Sequence, residues 1–106
     1  MKKIKVSIIG ATGYSGKELI KILLNHPKVE LIHLVSASYV GKNITDIFPD
    51  FLNQLDKELI GLDLHKITQE SDLVFTALPH TVSMKIVPDL LKKKGMRVID
   101  LSADFR

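Results

Sequence analysis

The residues best placed to do chemistry are three glycines, Gly10, Gly13 and Gly16, set at three-residue spacing. An apolar run, Val6 to Ile9, precedes them and is too short for anything but a strand. Behind them Leu19, Ile20, Leu23 and Leu24 share one face of a segment that turns Lys17, Glu18 and Lys21 away, which is helical periodicity. Strand, glycine turn and helix is the geometry in which backbone N–H groups and the positive end of a helix dipole meet a phosphate. Gly10 would let the chain leave the strand in a tight turn. Gly13 would let the backbone approach a diphosphate, and Gly16 has no side chain to hold the helix off the sheet. The spacing is G-x-x-G-x-x-G rather than the commoner G-x-G-x-x-G. A glycine-rich connection with no ligand fits the local pattern as well, and the flanking strand and amphipathic helix supply the context a phosphate site demands.

The elements that must position this turn follow from the pattern along the chain. Ile4 to Ile9 reads as strand one, Tyr14 to Asn25 as helix one with His26 in its last turn, and Val29 to Val35 as strand two, apolar on both faces except at His33. After a loop, Ser36 to Lys42, a short helix is expected over Asn43 to Phe48. A short strand follows over Leu59 to Leu64, and a turn or short helix over Thr68 to Ser71. Leu73 to Ala77 is strand four. Val82 to Lys94 is a helix with Met84, Val87, Leu90 and Leu91 inward and a disruption at Pro88, and Gly95 is its C′ residue. Arg97 to Leu101 is the last strand. Alternating strands and helices imply parallel pairing with right-handed crossovers. The fold class is α/β, a doubly wound parallel sheet of Rossmann type. Its expected strand order is 3-2-1-4-5, with any ligand outside the carboxyl ends of strands one and four.

A chain of 106 residues is one domain or a piece of one. It has no cysteine, which removes disulfides, thiolate metal sites and thiol nucleophiles, and no metal site is expected. No apolar run approaches the ~20 residues of a membrane span, and no signal-peptide pattern is present, so no membrane association and a cytoplasmic location are expected. The net charge of +3 is spread along the chain apart from Lys92-Lys93-Lys94. With no basic stripe interleaved with aromatics, no nucleic-acid partner is expected, and the lysine run reads as a solvated helix end.

The end of strand two discriminates between cofactors. A domain that prefers NAD usually carries Asp or Glu there for the ribose 2′-hydroxyl. No acid occurs from Leu31 to Thr45; Ser36, Ser38 and Lys42 offer hydroxyls and a cation instead. A carboxylate would repel a 2′-phosphate and these residues would bind it, which favours NADP over NAD. A merely polar turn at Ser36-Ala37-Ser38 is the alternative.

Three stretches together, Ile8 to Leu19 (IIGATGYSGKEL), Val74 to Ser83 (VFTALPHTVS) and Val98 to Arg106 (VIDLSADFR), resemble the amino-terminal cofactor domain of N-acetyl-γ-glutamyl-phosphate reductase, which is similar in design to aspartate-semialdehyde dehydrogenase. The resemblance runs from about Lys2 to Arg106, and the family's full chain is much longer. It implies that Gly10, Thr12, Gly13, Tyr14, Ser15 and Gly16 wrap the cofactor diphosphate. Ser36 and Ser38 would hold the 2′-phosphate, and Leu78 and Pro79 would line the nicotinamide side. Arg106 would bind the phosphate of a small-molecule acyl phosphate substrate, a task suited to the guanidinium fork. Thr81 stands where the family commonly has glycine, and His80 reads as a structural or loop histidine. The implied chemistry is reductive dephosphorylation: a cysteine thiolate attacks the acyl carbon, phosphate leaves, and hydride from NADPH gives the aldehyde.

With no cysteine, this chain carries no catalytic residue of that set and is expected to bind cofactor without turnover, as the amino-terminal portion of a longer two-domain enzyme ending just after strand five. The sheet is incomplete relative to the family's full chain, so an exposed apolar patch and homo-oligomerisation or aggregation are expected. Two rivals share the fold. Short-chain dehydrogenases and epimerases also use GATGxxG, but their Tyr-x-x-x-Lys is missing, since Tyr14 meets Glu18 and Tyr39 meets Asn43 at that spacing. A non-enzymatic NADP-sensing module is the other.

Overall fold

Val6, Ile8 and Ile9 are buried to within a few per cent because the strand they belong to, β1 (Ile4–Ile9), runs through the middle of the sheet. The computed structural model describes residues 2–101. Five strands, β1, β2 (Val29–Val35), β3 (Leu59–Ile60), β4 (Leu73–Thr76) and β5 (Arg97–Asp100), lie in the order β3-β2-β1-β4-β5, every pair parallel, as expected. The helices are α1 (Tyr14–Leu24), α2 (Ile44–Ile47), α3 (Leu64–Glu70) and α4 (His80–Leu91), with a 3-10 turn at Pro49–Phe51. None is long and apolar enough to cross a membrane among the described residues.

Strand alternation divides the core in two. On one face Val6, Ile8, Leu31 and Leu34 pack with Leu19, Ile20 and Leu23 of α1 and with Ile44 and Phe51. On the other, Ile9, Val35 and Val74 pack with Ile67 of α3, Leu90 of α4 and Met96. Each fully buried Ile or Leu here contributes about 1.5–3 kcal/mol. Lys17 of α1 reaches Asp50 at 3.2 Å and lies 5.2 Å from the centre of the Phe48 ring, which stands edge-on to Phe51. The segment between β2 and β3 is thereby fastened against α1.

The parallel ladder between β1 and β2 contains one irregularity. Val6 pairs with Leu31 but Ser7 pairs with His33, so Ile32 is an extra residue on β2. Its carbonyl accepts a hydrogen bond from Lys57 Nζ at 3.0 Å. The shift carries Leu31 and Leu34, three residues apart, into the same half of the core. It also sets Ser7 and His33 on the α3 side, where they meet Ser71 Oγ (2.6 Å) and Glu70 Oε1 (2.6 Å).

Several elements differ from expectation for local reasons. β3 ends at Ile60, and the segment expected as strand to Leu64 instead enters α3, because the Asp63 carboxylate accepts from the Lys66 N–H and caps a helix there. Helix α1 stops at Leu24, so His26 lies past the cap residue Asn25. Helix α4 begins two residues early, after Pro79, and ends at Leu91, so Gly95 is not its C′ residue but still takes a positive φ of +85° in the turn that follows. Its inward residues are Ser83, Ile86 and Leu90; Met84 and Leu91 are 61% and 53% exposed. Pro88 lies on the exposed side, where water can take the Met84 carbonyl it leaves without an amide partner.

Candidate functional site

The carboxyl ends of β1, β2 and β4 converge on Gly10. Its N–H and that of Ala11 both donate to the Val35 carbonyl at 3.0 Å, joining the turn after β1 to the end of β2. The Ala77 N–H donates to the Ile9 carbonyl at 2.8 Å, joining the same turn to the end of β4. Gly10 has a φ of +95°, and a Cβ there would stand 2.4 Å from the Ala77 carbonyl oxygen and 3.1 Å from Leu78 Cδ2. Only glycine fits both the backbone angle and the contact. At Gly16 a Cβ would meet the Gly10 and Ala11 carbonyl oxygens at 2.4 and 2.6 Å, so what the missing side chain admits is the turn's own backbone rather than the sheet at large.

Gly13 is different. Its φ of −80° suits any residue, and its Cβ position touches only the Gly10 oxygen, at 3.7 Å. It is the N-cap of α1 and offers no side chain to the first turn. Among the described residues the N–H groups of Thr12, Tyr14, Ser15 and Gly16 have no protein acceptor. These amides, the open side of Gly13 and the positive end of α1 form a cradle with the donors and the field that attract an anion such as a phosphate. Tyr14 and Ser15 lie exposed at its rim.

The hydroxyls expected at the end of β2 separate into two kinds. Ser36 is only 3% exposed. Its Oγ lies 3.0 Å from Thr12 Oγ1 and accepts from the Tyr39 N–H at 3.3 Å. Ser38 is exposed, as is Lys42, and neither side chain has an intramolecular polar partner among the described residues. The loop that carries them is pinned to β3 by hydrogen bonds from Gly41 N–H to Leu59 O (2.8 Å) and from Leu59 N–H to Lys42 O (2.7 Å). Thr12 and Ser36 are therefore brought together from two loops, while Ser38 and Lys42 stand free for a ligand.

Beyond β4, Leu78 is half-buried against the α3–α4 half of the core and Pro79 is the exposed N-cap of α4. Arg106 lies outside the described residues. Sequence reasoning missed a polar chain under this end of the sheet. Thr76 and Ser83 are fully buried, with their hydroxyls 3.3 Å apart, and Thr76 donates to Asp100 Oδ1 at 2.9 Å. With that proton committed, the consistent direction runs from the Ser83 hydroxyl to Thr76 and on to the Asp100 carboxylate. It ties the first turn of α4 to the ends of β4 and β5. The signal for it was a threonine inside an apolar strand, a group that needs a partner when buried.

The sequence and the fold are matched by known proteins. The chain is 52% identical over 103 residues to the N-acetyl-gamma-glutamyl-phosphate reductase of Halothermothrix orenii, covering 97% of this chain and 29% of that one. It is 53% identical over 104 residues to the enzyme of that name from Campylobacter jejuni, covering 98% and 29%. It thus spans under a third of the length of these relatives. Among solved structures, the aspartate semialdehyde dehydrogenase of Candida albicans, crystallised with NADP, shares the fold at a TM-score of 0.76 and 24% identity, over 93% of this chain and 29% of that one. A probable aspartate-semialdehyde dehydrogenase from Pseudomonas aeruginosa does so at 0.73 and 23%, over 99% and 30%. Residues 5–106 match the family described as semialdehyde dehydrogenase, NAD binding domain, and the chain belongs to that family.

Proposed function

We propose that this chain is the NADP-binding, amino-terminal portion of a longer two-domain N-acetyl-γ-glutamyl-phosphate reductase, acting in arginine biosynthesis in the cytoplasm. The observation that carries the cofactor part is the cradle at α1: four amides without acceptors among the described residues, beside an open glycine face. In this reading Gly10, Thr12, Gly13, Tyr14, Ser15 and Gly16 hold the diphosphate. Ser36, Ser38 and Lys42 serve the 2′-phosphate end, and Leu78 and Pro79 border the nicotinamide. The cofactor would supply hydride to reduce an acyl phosphate to N-acetylglutamate semialdehyde. Arg106 is assigned to the substrate phosphate by resemblance. Membership of the semialdehyde dehydrogenase family weighs against the short-chain dehydrogenase reading.

The chain has no cysteine, so by itself it binds cofactor and does not turn over. Isothermal titration of the 106-residue chain with both cofactors tests the assignment. NADPH is expected to bind at least about tenfold, or 1.4 kcal/mol, more tightly than NADH. Equal or tighter NADH binding would refute the choice of NADP.

Self-association is part of the proposal. Ile99 on β5 is 44% exposed, and Met84 and Leu91 of α4 are more so, leaving apolar side chains in water on both elements. Sedimentation equilibrium is expected to show dimers or larger species whose population rises with concentration. A constant monomer mass across the range would count against it.

A further inference from the structure

Thr12 and Ser36 face one another across 3.0 Å, and Ser36 is almost wholly buried. Two hydroxyls carry two protons, and the bond between them uses one. The direction of that bond decides which group keeps a proton to donate outward. If Thr12 donates, Ser36 accepts from both Thr12 and the Tyr39 N–H, which fills its two lone pairs and leaves its own proton free on the β2 side. If Ser36 donates, the free proton is on Thr12, in the turn that faces the diphosphate cradle. The pair can therefore serve one anion at a time.

We propose that Thr12 and Ser36 form a reversible hydroxyl relay that sets cofactor specificity. With NADPH the relay points from Thr12 through Ser36 to the 2′-phosphate. With NADH, which has no such phosphate, it reverses and Thr12 donates to the diphosphate. This rests on the cofactor reading above. It goes beyond that reading because Thr12, a residue of the diphosphate turn, becomes a determinant of discrimination at the other end of the adenosine.

The relay makes a prediction with two signs. In Thr12→Val, Ser36 keeps its proton for the 2′-phosphate, so NADPH loses little, while NADH loses its Thr12 donor. In Ser36→Ala, Thr12 donates to the diphosphate for either cofactor, so NADH loses little and NADPH loses its 2′-phosphate donor. A hydrogen bond to an anion at this strength corresponds to about tenfold in Kd. The ratio of the NADH Kd to the NADPH Kd is thus expected to rise about tenfold in Thr12→Val and to fall about tenfold in Ser36→Ala. Thr12→Ser, which keeps the hydroxyl, should restore the starting ratio.

Titration calorimetry on the chain and its variants, with thermal melts to confirm folding, gives these ratios. If Thr12→Val weakens both cofactors by the same factor, or neither, Thr12 is an ordinary diphosphate ligand or a bystander and the relay is refuted. If Ser36→Ala fails to fold because the Tyr39 N–H loses its acceptor, the Thr12→Val and Thr12→Ser pair decides alone. Failure of the wild-type chain to bind either cofactor would refute the underlying site reading instead, and shows before any variant is made.

Discussion

Replacing Gly10 by alanine is expected to remove a substantial part of the stability of the fold. The residue has a φ of +95°, and its new methyl group would lie 2.4 Å from the Ala77 carbonyl oxygen and 2.9 Å from the carbon behind it. Neither neighbour is free to move. The Ala77 N–H is bonded to Ile9 O at 2.8 Å and the Gly10 N–H to Val35 O at 3.0 Å, so backing away from the clash breaks the joints between β1 and both flanking strands. A positive φ costs an L-residue about 1–2 kcal/mol, and overpacking a rigid contact costs about 1–3 kcal/mol more. Together these take about 2–5 kcal/mol from a domain whose total is of order 5–15 kcal/mol. Urea denaturation should show the midpoint falling by about 0.7–5 M, given slopes of about 1–3 kcal/mol per molar. A midpoint within about 0.5 M of the wild type would mean that the Ala77 carbonyl swings aside freely and that the joint is not rigid.

Gly13→Ala should do the reverse, leaving the fold and removing the ligand. The backbone angle already suits alanine, and the nearest atom to the new methyl is 3.7 Å away. Loss of a glycine N-cap costs under about 1 kcal/mol. The methyl would stand in the open side of the cradle, beside the amides that have no acceptor among the described residues. Pushing a diphosphate back from those donors is comparable to inserting a methylene into a packed site, about 2 kcal/mol, which is roughly 30-fold in Kd. NADPH titration beside a thermal melt checks both halves. Retained affinity with an unchanged melt would show that the diphosphate does not approach at Gly13.

How much could be read in advance depended on whether the cause was local. β1 and β2 have the expected limits because unbroken apolar runs end at turn residues, and the strand order follows from crossover handedness. The glycines were legible as a strand-to-helix turn for the same reason. β3 was overextended because Leu62 and Leu64 continue an apolar spacing that the Asp63 cap overrides. The inward face of α4 was read correctly at Leu90 but misjudged at Met84 and Leu91, because hydrophobicity favoured them, whereas the helix turns Ser83 inward to meet Thr76. The contact of Thr12 with Ser36 joins residues 24 apart, and no pattern along the chain announces such a meeting. The Tyr39 amide, which fixes that serine from the other side, was equally invisible.

The extra residue at Ile32 bears on how such a site can change over time. The positions of β2 after it, and Ser36 just past the strand's end, owe their inward or outward aim to that one supernumerary unit. Point substitutions along the strand alter what is offered at its mouth. Losing or gaining a single codon between Leu31 and Ser36 would rotate the mouth by half a turn, delivering Ala37 or Val35 to the place opposite Thr12. Lineages descended from this chain can therefore retune the serine by exchange of residues, but a change of length in that short interval would have to be matched in β1.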